Sequence, residues 1–180
     1  MASNFTPGEQ QLLAEIAEKI RNLREFLNKY ELPQDTARLG GWYYFLNVTK
    51  ATLGNVNNDV SYVATLLAKV YLEKRFPGVE FDASSKSQSS PGLDIDVRTR
   101  DGKRISGEVK TVDPYKEKDF GNNQRATFFR DFSKLAGAAA DHKYLFLTES
   151  RAFDVVKAKY QKQLAGVTVV CLVDGREFTA

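Results

Sequence analysis

The chain has 180 residues, 42% of them hydrophobic and 12% aromatic, with a formal net charge of +3. That is the size of one domain with a small addition, and the composition is too apolar for a disordered chain. No apolar run reaches the roughly 18–20 residues of a membrane span, the first residues lack a signal-peptide pattern, and the single cysteine, Cys171, excludes a disulfide framework or a multi-cysteine zinc site.

A soluble, cytoplasmic protein is the expectation. Thr6-Pro7-Gly8-Glu9 fits a capping box that opens a helix. Leu13, Ile16, Ile20, Leu23, Leu27 and Tyr30 then alternate by three and four up to Pro33, a seam for packing or for a second subunit. A second helix is expected over about 36–53, around Trp42-Tyr43-Tyr44-Phe45-Leu46. A third, over 58–76, has Val60, Val63, Leu67, Val70 and Tyr71 as its expected buried face.

The pattern then shortens to strands at 79–82, 92–99 and 103–112, with a polar loop over 83–90. After a second polar loop, 113–124, come a helix over 125–139 on Phe128, Phe132 and Leu135, and a strand over 143–148. A helix over 150–164 and a strand over 167–173 complete the chain, with Cys171 as a buried thiol in the last. This order implies an α/β fold: a central mixed sheet, antiparallel at first and then parallel, with helices on its faces. Residues 1–56 are expected to form a helical segment for packing or dimerisation, and 57–180 the core.

Charge gathers in that core. Residues 1–56 hold 6 basic and 6 acidic residues, and 57–180 hold 20 and 17. Asp94, Asp96, Glu108 and Lys110 stand on two segments otherwise rich in Leu, Ile and Val, where charged groups need partners. Asp101-Gly102 marks the turn between them. A two-residue loop would mix polar and apolar side chains on both faces. A three-residue loop, Arg100-Asp101-Gly102, pairs residue i with 202 − i and sets Asp94 opposite Glu108, with Asp96 opposite Ser106. A sum of 204, which would set Asp96 opposite Glu108, is the alternative. Opposed residues have Cβ atoms about 4.5–5.5 Å apart, so the carboxylates would repel unless a divalent cation sat between them. Hard oxygen ligands suit Mg²⁺. Lys110, on the same face as Glu108, could hold a water or an anionic oxygen, or act as a base.

Asp94, Glu108-Val109-Lys110 and the order of helices and strands resemble the PD-(D/E)xK nuclease superfamily, the restriction-endonuclease-like fold, over about residues 57–175. The text PGLDIDV…GEVKT is similar to that of type II restriction enzymes, although Pro91-Gly92-Leu93-Asp94 replaces the family's Pro-Asp. The choice between Asp94 and Asp96 as principal ligand therefore stays open, with Asp94 favoured. The resemblance implies one or two Mg²⁺ ions, with Mn²⁺ as a substitute, held by Asp94, Glu108 and the Val109 carbonyl. It also implies hydrolysis of a phosphodiester by a metal-activated water, with Asp94, Glu108 and Lys110 as the catalytic set. Asp59 and, more weakly, Glu73 are candidates for an acid on the first core helix that binds metal through water.

Contacts to double-stranded DNA are expected from the flanks: Ser87, Gln88, Ser89 and Ser90 before the site, and Lys116, Lys118, Asn122, Asn123, Gln124 and Arg125 after it. Arg98 and Arg100 on the basic turn, and the pair Arg130 and Lys134 one helical turn apart, extend the set. Gln124 also falls where many relatives carry an active-site glutamine, and His142 is given no role. The expected activity is that of a type II restriction endonuclease acting as a homodimer within a prokaryotic restriction-modification system. Alternatives are a structure-specific repair nuclease or Holliday-junction resolvase, and a non-catalytic DNA-binding protein that keeps the fold.

Overall fold

The computed structural model describes residues 5–34, 39–86, 90–116 and 119–180. The chain divides into two compact units, Met1–Asp59 and Val60–Ala180. Among the described residues, no helix is long and apolar enough to cross a membrane.

In the first unit α1 (Pro7–Lys29) starts as its sequence dictates: the Thr6 N–H donates to the Glu9 carboxylate at 2.8 Å and the Glu9 N–H to Thr6 Oγ1 at 3.2 Å. α2 (Leu39–Leu53) follows; positions 36–38 of the expected helix lie outside the described residues. Phe26 of α1 and Phe45 of α2 are buried, their ring centroids 5.1 Å apart. The expected seam is only half right. Leu13, Ile16 and Leu23 are half-buried, whereas Ile20, Leu27 and Tyr30 are exposed, because Phe26 rather than Leu27 turns toward the second helix.

The second unit is built on a five-stranded mixed sheet. Its strands are β1 (Ile95–Arg98), β2 (Arg104–Lys110), β3 (His142–Leu147), β4 (Val167–Cys171) and β5 (Glu177–Thr179), adjacent in that order. β1 and β2 are antiparallel, β2, β3 and β4 run parallel, and β5 returns antiparallel to β4. The expected sequence of antiparallel and then parallel pairing is found. β5 was not expected; it follows a turn at Asp174-Gly175, where Gly175 has φ +74°.

Alternation along the strands sends side chains to two cores. Tyr144 and Phe146 of β3 face α3 (Val56–Arg75), packing with Ala68, Leu72, Ile95, Ile105 and Val170. Leu145 and Leu147 face the other way, among Phe128, Phe132 and Leu135 of α4 (Asn122–Gly137) and Phe153 of α5 (Ser150–Val155). α5 continues as a π-helical turn, Val156–Tyr160, and a 3-10 turn, Gln161–Leu164. Cys171 is buried, as expected.

Two expectations fail. Residues 79–82 form no strand: Val79 is buried with the α3-side core, but the segment lies on no ladder. The face of α3 is also different. Val60, Val63, Leu67 and Val70 are 37–47% exposed, while Tyr62, Ala64, Leu66, Ala68 and Leu72 are buried. Ala68 and Leu72 pack into the sheet-side core, where Tyr71 lies edge-on to the rings of Tyr144 and Phe146.

Candidate active site

The hairpin decides which charges meet. Gly102 has φ +82°, a left-handed conformation that glycine adopts without steric cost. The Thr99 N–H donates to the Lys103 carbonyl at 2.9 Å across the turn. Arg100, Asp101 and Gly102 therefore make a three-residue loop, and Ile95 lies opposite Gly107, Asp96 opposite Ser106 and Val97 opposite Ile105. Each pair obeys the 202 − i register. The alternative that sets Asp96 against Glu108 is excluded.

Glu108 and Lys110 consequently share the α4 side of β2, and Asp94 stands immediately before β1. The Val109 N–H donates to Asp94 Oδ2 at 2.9 Å, which anchors the aspartate beside Glu108. Glu108 is 2% exposed. Burial pushes its carboxyl up to about 8, and the Asp94 charge, a hydrogen bond between the two carboxyls and the Asp131 charge push the same way against Lys134.

Asp131 was not foreseen. It lies in the middle of α4, 1% exposed, and its carboxylate pairs with Lys110 and, at 3.1 Å, with Lys134. Lys134 Nζ is also 3.3 Å from Glu108 Oε1 and donates to the Gly92 carbonyl at 3.3 Å. Burial alone would lower the Lys134 amine, but Asp131 and Glu108 outweigh it and hold the amine above its ordinary range. A signal for Asp131 was in the sequence. It falls among Phe128, Phe132 and Leu135 on the core side of the helix, and a carboxylate in such a stripe demands a cation.

Asp94, Glu108, Val109, Lys110, Asp131 and Lys134 line a polar cleft of about 260 Å³, together with Ser61, Thr65, Ser90, Gly92 and Arg130. Of the expected DNA-contacting residues the cleft thus gathers Ser90, Arg130 and Lys134. Lys134 is turned onto two carboxylates, whereas the Arg130 side chain is 68% exposed.

The remaining candidates are dispersed. Asp96 is gripped at both oxygens by Arg104, each contact 2.7 Å, and the guanidinium holds its carboxyl below the usual range. Asp59 is paired with Lys19 at 2.9 Å, and Glu73 with Lys69 at 3.6 Å. Arg98 donates to the Gly102 carbonyl at 2.9 Å, and the Arg100 side chain lies against Gly78. Gln124 serves as a brace: its Oε1 accepts from the Tyr115 and Gly121 N–H groups and its Nε2 donates to the Asp113 carbonyl, joining the loop after β2 to the start of α4. Arg125 is near Asp119, the Lys116 N–H donates to the Asp119 carbonyl at 3.1 Å in an isolated antiparallel backbone bridge, and Asn122 and Asn123 are exposed in the first turn of α4. His142 packs on the ring of Phe76 at the start of β3. Ser87, Gln88, Ser89 and Lys118 lie outside the described residues.

Among the described residues, no group of three or more His, Cys, Asp or Glu side chains is disposed to hold a metal ion. The oxygen donors that meet are the two carboxylates of Asp94 and Glu108, with Val109 beside them. Comparison with known proteins adds nothing to this geometry: no family model, no curated protein and no solved structure matches the chain.

Proposed function

We propose that the unit Val60–Ala180 is a metal-dependent DNA endonuclease with a restriction-endonuclease-like core, and that Asp94, Glu108 and Lys110 are its catalytic residues. The observation that supports this reading is the meeting of two carboxyls beside a lysine in a polar cleft, with the Glu108 carboxyl raised to about 8 by burial and by Asp94. Two acids that close together need a shared proton or a cation. Mg²⁺ is commonly held by one or two carboxylates, with water and substrate phosphates completing its shell. An all-oxygen donor set without thiolate or imidazole suits Mg²⁺ or Mn²⁺.

Asp94 and Glu108 would hold the ion, which when bound lowers the pKa of its water and offsets charge on the phosphate. Lys110 supplies a fixed ammonium for a phosphate oxygen or the attacking water. Arg130, exposed at the cleft, suits a flanking phosphate. Cutting both strands of a duplex calls for two such sites, so the enzyme is proposed to act as a homodimer of the type II restriction kind.

Incubation of supercoiled plasmid with the protein and Mg²⁺, with EDTA as control, tests the reading. Discrete fragments are expected from the wild type and none from Glu108→Ala or Lys110→Ala. Undiminished cutting by either variant removes the assignment. Cleavage confined to branched DNA moves it to a resolvase or repair nuclease, and DNA binding without cleavage moves it to a non-catalytic protein.

A further inference from the structure

Asp131 belongs to none of the residues that the nuclease reading requires, yet it pairs with two lysines in the cleft. It is 1% exposed on a helix whose neighbouring positions, Phe128, Phe132 and Leu135, are pure core. An unpaired carboxylate there would be costly. Its two oxygens face cations from two elements: Oδ2 meets Lys110 of β2, and Oδ1 meets Lys134 of its own helix at 3.1 Å, with Arg130 Nε farther off at 3.9 Å. The Lys110 side chain is 15% exposed. A four-carbon stem has many rotamers, and one contact on a rigid helix removes most of them.

We propose that Asp131 is a positioning residue: it holds the Lys110 ammonium at one place in the cleft that Asp94 and Glu108 also line, so that α4 completes a site otherwise built on the β1–β2 hairpin. This goes beyond the nuclease reading and rests on it only for the catalytic consequence. Asp131 acts through Lys110, whose placement relative to a reacting phosphate must be accurate to a fraction of an ångström to be effective.

Two measurements test this, one of them independent of catalysis. In the first, the side-chain ammonium of Lys110 is followed by nitrogen-15 NMR of lysine-labelled protein. A resolved, slowly exchanging signal is expected in the wild type and its loss in Asp131→Asn. A Lys110 signal equally sharp in both proteins overturns the proposal. In the second, plasmid cleavage is measured. Asp131→Asn is expected to lower kcat about 100-fold, with KM for DNA nearly unchanged, the order of loss that follows misplacement by about an ångström. Asp131→Glu, which keeps the charge but moves it by one methylene, is expected to recover part of that loss, ending about 10-fold below wild type.

A fall expressed only in KM, or wild-type kcat in Asp131→Glu, overturns the proposal. Should Asp131→Asn fail to fold, Asp131→Glu decides by the same criterion. If the wild type does not cut DNA while the Lys110 signal still depends on Asp131, the nuclease reading falls and the positioning role stands.

Discussion

Asp94 Oδ2 accepts the Val109 N–H at 2.9 Å, so the carboxylate just ahead of β1 is tied to the backbone of β2 within one residue of Glu108. Register and side chain thus act together. The 202 − i ladder brings the two segments alongside, and this bond fixes the first acid although it lies outside the regular strand. The hairpin thus helps to set the spacing of the two carboxyls.

Asp94→Asn separates the charge of this residue from its tether, since an amide oxygen still accepts the Val109 N–H. The Glu108 carboxyl should then titrate below its present value of about 8 while staying above its ordinary 4.5, because burial is the larger cause and persists. Carbon-13 NMR of the glutamate carboxyl measures this. No movement on substitution would mean that the two acids do not feel each other.

Asp96 provides the contrast. Its carboxylate is 46% exposed and already satisfied by Arg104 at 2.7 Å. Surface pairs of this kind contribute about 0–1 kcal/mol. Asp96→Ala should therefore lower stability by less than about 1 kcal/mol in denaturant melts and leave plasmid cleavage close to wild type, whereas Asp94→Ala is expected to abolish it. Loss of cleavage in Asp96→Ala would return Asp96 to the ligand set.

Gly107 shows how tightly the hairpin is seated. A Cβ at this position would sit 3.3 Å from both Ile95 Cβ and Phe146 Cε2, and Ile95 and Phe146 are fully buried. Gly107→Ala must push β1 from β2 or displace the Phe146 ring, an overpacking that costs about 1–3 kcal/mol. The midpoint of urea unfolding should fall with the slope unchanged, and cleavage should fall with it, because Asp94 and Glu108 flank this contact. A variant as stable as wild type would show that the sheet yields here at little cost.

Much of this site could be read from residue order because strand pairing has a period of two. Once the Asp101-Gly102 turn is given three residues, Glu108 and Lys110 must share a face and Asp94 must lie beside Glu108. Helix faces were harder. In α3 the valines at 60, 63 and 70 and Leu67 form the more apolar stripe, yet the helix packs Ala68 and Leu72 against the sheet. The bulkier stripe is not the buried one. What pairs with Asp131 was hidden for another reason. Its partner Lys110 lies on a distant strand, and only the packing of α4 against the sheet brings the two together. The strand expected at 79–82 failed similarly: local propensity was present, but no neighbouring strand supplies a ladder.

Glu108 also ties stability to pH in a definite direction. Its carboxyl is raised in the folded protein to about 8 from an ordinary 4.5, so between these values the folded state binds a proton that the unfolded state does not. Stability from this group is complete below about pH 4.5 and is lost as pH rises toward 8. Asp96 and Asp119, whose carboxyls are lowered by their partners, act in the opposite sense and only below about pH 4. The descent from pH 5 to pH 8 therefore belongs to Glu108, and it amounts to a few kcal/mol at most, since one bound proton changes stability by about 1.4 kcal/mol per pH unit. Thermal melts in EDTA should show Tm falling across this window in the wild type and a flat profile in Glu108→Gln. Mg²⁺ competes with the proton for the same oxygens, so it should raise Tm more at pH 8 than at pH 5. A wild-type profile that is flat in EDTA would mean that Glu108 is already ionised without a cation, and the reason for placing one beside it would be gone.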